Sequence, residues 1–249
     1  MTVLTPLQYL THLRADGERL AAAARSAGLE AKVPTCPDWE VADLVRHVGA
    51  VYHHKLACMR LNRRPEEDEW AHAEPDGDDV VDWCTAALDE LIDELKANGP
   101  ARPSYTWYPP DQTVGFWYRR MAQETVVHRL DSEFAGAEVT PVADDLALDG
   151  IDEILAAFLT GPWWEEEPVE TATGRTVAVS ANGETWRVTL EPKAVTVERG
   201  AGPSAATVTG APLDALLWVW GREPIGAITI DGDPAAADEL QARLKYVSD

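Results

Sequence analysis

Basic residues are scarce in this chain: 21 lysines and arginines stand against 43 aspartates and glutamates in 249 residues, a formal charge of -22. A surface of that sign repels phosphate backbones and anionic lipid headgroups, so neither nucleic acid nor a membrane is expected as a partner. Cysteine is sparse too. Cys36, Cys58 and Cys84 are odd in number, far apart and without CxxC spacing, which argues against a disulfide framework and for free thiols in a reducing compartment. No apolar run approaches the roughly 20 residues that a membrane-spanning helix needs. The N-terminal stretch MTVLTPLQYLTHLRADGERL lacks a basic segment followed by an apolar one, and a cytoplasmic protein is expected. Also missing are GxGxxG, GxxxxGK, GxSxG and HExxH, so nucleotide-phosphate and serine-hydrolase chemistry have no motif support.

What the chain has is length and apolar content, 45% hydrophobic residues, enough to bury a sizeable core. A change of period near residue 140 favours two domains, 1–140 and 141–249. The first half reads as helices. Thr5 is placed to cap one, with Pro6 at its first position and Leu7, Leu10, Leu13 and Leu20 leading to a stop at Gly28. A second follows PTCP, with Asp38 as cap and Val41, Leu44, Val45, Val48, Val51, Tyr52 and Leu56 on its apolar side, ending near Leu61. A third runs from Val80 to Lys96 and stops at Asn98-Gly99-Pro100; a fourth begins around Thr113 and fades near Gly136. Four helices with a long connection between the third and fourth predict an all-α four-helix bundle with one crossover.

The second half predicts a small α+β domain. TPVADDLALDG reads as the boundary, and GIDEILAAFLTG as an amphipathic helix. RTVAVSANGETWRVTLE holds two alternating runs joined by Asn182-Gly183, a strong hairpin signal. Further strands are expected at Ala194 to Arg199, Ala206 to Thr209 and Ala227 to Ile230, with helices at Leu213 to Trp220 and Pro234 to Tyr246. Trp163-Trp164 before Glu165, Glu166 and Glu167 reads as a helix end with a solvated acidic run, and Tyr105, Trp107 and Tyr108 as aromatic cover for a bundle end.

One stretch departs from a plain core pattern. In QETVVHRLD, Glu124 and His128 lie four residues apart and project from one helix face, on a stripe that runs Trp117, Met121, Glu124, His128, Asp131. A carboxylate and an imidazole on such a stripe are costly to bury unless paired, hydrogen-bonded or bound to metal. His47 is the best third member, because it sits beside Leu44, Val48 and Val51, whereas His12 and His72 have polar surroundings and His53 and His54 lie at the arc's edge. One carboxylate and two imidazoles make the ligand set of several catalytic zinc sites, leaving a position for water or substrate. Asp131 and Asp43 are candidate acceptors for the ligand imidazole protons. The residues alone leave three readings open: a thiol-using metal enzyme, a metal-dependent hydrolase or lyase, and a non-catalytic small-molecule binding protein with a hydrogen-bonded polar core.

CPDWEVADLVRHVGAVY, with its W…DL…H pattern, then QETVVHRLD, then LLWVWGREP together resemble three segments of the mycothiol-dependent maleylpyruvate isomerase family, in order and across both halves. The resemblance implies a DinB-like metal-binding bundle followed by a sterol-carrier-like α+β domain. It implies Zn2+, or another divalent metal, on His47, Glu124 and His128 with a water completing the shell. It also places Arg222 at the family's C-terminal arginine, a guanidinium suited to a small anionic, electrophilic substrate. Mycothiol would be the thiol cofactor, its thiolate serving cis-trans isomerisation or S-transfer.

Overall fold

The computed structural model describes residues 4–71, 77 and 79–248, which form two compact units, Leu4–Thr140 and Pro141–Asp249. The first is a helical bundle of α1 (Pro6–Ala27), α2 (Val41–Leu61), α3 (Asp79–Asn98) and α4 (Val114–Phe134). Helix α1 begins as its residues dictate: the Thr5 hydroxyl accepts from Gln8 N, and the Gln8 side chain returns to Thr5 N. Helix α2 does not use Asp38 as its cap. It starts from Glu40, whose N–H donates to Asp43, while loop carbonyls of Ala31 and Leu29 take the N–H groups of Val41 and Ala42. The orphan donors that a cap would satisfy are already bonded.

Helices α1 and α2 each lie beside both α3 and α4, so the α1–α2 and α3–α4 connections both cross the bundle diagonal. One crossover was expected; the segment of residues 28–40 is the second. Close packing is set partly by Gly49 of α2, where any side chain would collide with the Trp83 ring of α3. Helix α4 is buried on nearly all sides and has no distinct apolar face, so the stripe from Trp117 to Asp131 is one of several buried rows. Its polar groups are paired within the interior: Arg129 lies 3.3 Å from Asp16 of α1 and 3.2 Å from Glu133. The Thr125 hydroxyl meets Tyr52 of α2 at 2.6 Å, and Tyr118 donates to Leu95 O at 2.7 Å.

The second unit opens with α5 (Asp144–Glu153), which continues through a π-helical turn at Ile154–Phe158. The helix thus starts within the stretch read as a boundary, and the wide turn rotates its buried face, which breaks the simple 3.6-residue period. A separate short helix, α6 (Trp163–Glu166), follows a bend; Glu165, Glu166 and Glu167 are exposed as expected, while Trp164 is core at 2% exposure. Strands β1 (Arg175–Ala181), β2 (Glu184–Glu191), β3 (Ala194–Arg199), β4 (Ala206–Gly210) and β5 (Thr229–Gly232) form one sheet in the order β3-β2-β1-β4-β5. Asn182 and Gly183 turn between β1 and β2 at φ of 46° and 80°, as the hairpin signal requires. β1 and β4 are parallel and the other pairs antiparallel. The edge strand β5 lies two residues later than expected, because pairing with β4 rather than its own exposed side chains sets its bounds. Helices α7 (Pro212–Val219) and α8 (Pro234–Ser248) complete an α+β unit.

Candidate metal centre

Helix α2 supplies His47, and one face of α4 supplies Glu124 and His128. Their donor atoms all lie within 4.8 Å of one another. Glu124 Oε1 is 3.3 Å from His47 Nε2 and 3.3 Å from His128 Nε2. Ligands about 2.05 Å from a tetrahedral ion are separated by about 3.3 Å, so these distances match two edges of such a shell.

The other end of each α4 ligand is tied off. His128 Nδ1 donates to Asp131 Oδ2 at 2.9 Å, which fixes the ring and points Nε2 toward Glu124. Arg120, one turn before Glu124, donates to Oε2 at 3.0 Å and leaves Oε1 facing the imidazoles. Burial opposes the Glu124 charge, but His128, His47 and Arg120 outweigh it and hold the carboxyl well below the usual carboxylate range. Burial likewise opposes a charged His128, yet Glu124 and Asp131 raise it to about 9. The electrostatics therefore favour a cation among these three side chains, whether a proton or a metal ion. Three donors, two of them with their reverse sides hydrogen-bonded, fit a divalent ion.

Exposure is graded across the cluster. Asp131 is fully enclosed and the His128 and Glu124 side chains are 11% and 15% exposed, whereas that of His47 is 38% exposed, so the cluster opens on the His47 side. Trp39 stands over that side, 5.0 Å from the His47 ring and 6.3 Å from the His128 ring. The loop before α2 holds it there, with Trp39 N donating to Cys36 O and Val33 N to Trp39 O.

Several expected participants lie elsewhere. Asp43 accepts from Glu40 N and pairs with Arg46 at 3.3 Å rather than supporting His47, because a helical side chain leans toward the N-terminus of its own helix. His53 packs on Trp83, and His54 receives Lys55 Nζ at 2.9 Å. His72 lies outside the described residues. Burial, then Lys55 and Arg64, lower His54 to about 4, which suits it to accept that bond. Lys55 also lies 5.4 Å from the centre of the Trp117 ring, and burial is the leading cause that lowers its pKa. Tyr105, Trp107 and Tyr108 cover the start of α4: Trp117 Nε1 donates to Tyr105 O, and Trp107 and Tyr108 contact Phe116. Cys58 and Cys84 are buried thiols, Cys84 pushed up to about 12 by burial; Cys36 is half-buried, and none of the three is in a disulfide. Arg222 follows α7 and the left-handed Gly221, in the C-terminal unit, and donates to Trp220 O at 2.6 Å. Sequence reasoning missed Arg120, although its place one turn before Glu124 was the available signal.

Residues 10–133 match the mycothiol maleylpyruvate isomerase N-terminal domain, and residues 145–239 match the MDMPI C-terminal domain. Among solved structures, a mycothiol-dependent maleylpyruvate isomerase is 15% identical over 93% of this chain and 96% of its own, with a TM-score of 0.63. A histidine-to-alanine mutant under the same enzyme name is 14% identical over the same shares, with a TM-score of 0.64. At that identity the likeness speaks for the fold. No curated protein matches the chain. With both family domains present in order over nearly its whole length, the chain belongs to the mycothiol maleylpyruvate isomerase family.

Proposed function

We propose that the protein is a zinc-dependent enzyme that uses the thiol of mycothiol as its nucleophile, in cis-trans isomerisation of the maleylpyruvate type. The observation that carries this reading is the cluster of His47 Nε2, Glu124 Oε1 and His128 Nε2, with both imidazole nitrogens 3.3 Å from the carboxylate oxygen, the edge length of a tetrahedral shell. These three atoms would hold the ion. A bound divalent ion supplies the positive charge that lowers the pKa of a thiol and yields a thiolate near neutral pH.

The chain's own groups do the rest. Asp131 keeps the His128 proton on Nδ1, and Arg120 keeps Glu124 oriented as a ligand instead of a general base. Trp39 covers the half-exposed side of the cluster and limits water there. Arg222 is assigned to the substrate carboxylate, for which its planar fork is suited. Thiolate addition to a cis double bond leaves a single bond free to rotate, and elimination then releases the trans product and regenerates the thiol. Three cysteines outside any disulfide fit the reducing, cytoplasmic setting that a thiol cofactor needs.

Maleylpyruvate turnover assayed with and without mycothiol tests the reading. Conversion to fumarylpyruvate only when the thiol is present is expected. Turnover of another substrate that persists without any low-molecular-weight thiol would instead indicate a metal-dependent hydrolase or lyase.

A further inference from the structure

The C-terminal unit carries a groove of about 680 Å³ between one face of α8 and residues 164–171, with Arg175 of β1 also lining it. Its volume falls in the range of small-molecule sites. No part of the reaction above uses it.

Its wall holds an unusual group. Arg243 is 2% exposed, and none of its three guanidinium nitrogens makes a hydrogen bond among the described residues. Its nearest carboxylate oxygen, Glu239 Oε1, is 3.5 Å away and is likewise without a hydrogen bond. The other Glu239 oxygen is engaged by Arg175 at 3.3 Å. Arg243 instead lies over the Trp164 ring, 4.9 Å from its centre, and Tyr246 tilts against the same ring at 5.3 Å. A buried guanidinium normally has its planar donors satisfied, and one left without acceptors is costly.

We propose that this groove binds an aromatic monocarboxylate, its ring replacing the guanidinium on Trp164 and its carboxylate taking the donors of Arg243. The donors are covered in the unliganded chain, but no hydrogen bond holds them. A rotamer change that turns the guanidinium into the groove breaks the ring stack and the long Glu239 contact and moves the charge away from Glu191, with no hydrogen bond lost. A single negative charge is specified because Glu167, Asp238 and Glu239 also line the groove and disfavour a dianion. The aromatic body is specified by Trp164 and Tyr246, which offer ring faces to stack on.

Titration calorimetry of the full chain with 2-naphthoate, and with 2-naphthamide as its uncharged match, tests this. Naphthoate is expected to bind at one site per chain at least tenfold more tightly than the amide. Arg243→Met should lose that tenfold preference with amide binding unchanged, and Arg243→Lys should recover part of it. Ala242→Trp, at an exposed position of the groove, should abolish binding of both and keeps the test decisive if Arg243→Met does not fold. Absence of naphthoate binding, equal binding of acid and amide, wild-type preference in Arg243→Met, or unchanged binding in Ala242→Trp would each overturn the proposal. None of these outcomes depends on metal or thiol.

Discussion

At the scale of single residues, the side chains behind the cluster decide its metal affinity. Asp131→Ala removes the acceptor that fixes the His128 tautomer and should weaken zinc binding about 10- to 100-fold, read by competition with a chromogenic chelator, with the helical circular dichroism unchanged. In the metal-free protein His128 is raised from 6.5 to about 9, so it keeps its proton through neutral pH. A metal ligand must be neutral at the donor nitrogen, so zinc affinity should rise about tenfold per pH unit from roughly 6.5 to 9 and level off above that. The same shift runs the other way for stability without metal: the contribution is fully present below about 6.5 and is lost as pH rises through 9. Denaturant midpoints of the chelator-treated protein at pH 6.5 and 9.5 check that sign. Arg222→Ala should retain metal and fold while turnover falls; equal activity would remove the role assigned to it.

At the scale of elements, most of the helix and strand pattern was legible because it rested on local chemistry. Thr5-Pro6 starts α1, Gly99 ends α3 and Asn182-Gly183 turns the hairpin as each residue's conformational preference requires. The failures came where long-range bonding replaced local signals. Carbonyls from the loop before α2 satisfy its first N–H groups, so Asp38 was not needed, and the π-helical turn after α5 disguised that helix's period. Glu124 and His128 were readable from a four-residue spacing, and His47 from its apolar neighbours; Trp39 is placed by loop hydrogen bonds that no periodicity shows. Helix α4 holds its polar interior by pairing, above all Arg129 between Asp16 and Glu133. Arg129→Ala would leave buried Glu133 without its cation and Asp16 with only the more exposed Arg19, and should cost about 3–5 kcal/mol in urea unfolding. A loss below about 1 kcal/mol would show that the α1–α4 clamp is not structural.

At the scale of the whole molecule, the chain joins a helical bundle that carries the donor cluster to an α+β unit that carries Arg222 and a groove of its own. No helix among the described residues is long and apolar enough to cross a membrane. The net charge of -22 concentrates cations near the surface, while Arg120 and Lys55 place positive charge close to Glu124. Because a metal would bridge α2 and α4, zinc at a hundredfold excess over its dissociation constant should stabilise the folded protein by about 2.7 kcal/mol, seen as a higher melting temperature. The claim on which the functional reading rests is that His47, Glu124 and His128 are metal ligands. Elemental analysis of untagged protein prepared without chelator, comparing wild type with Glu124→Ala and His128→Ala, addresses it most directly. Near-equimolar zinc in the wild type, lost in both folded variants, is the predicted result; a wild-type protein that folds without metal and takes up no added zinc would contradict it and leave the cluster a buried hydrogen-bonded network.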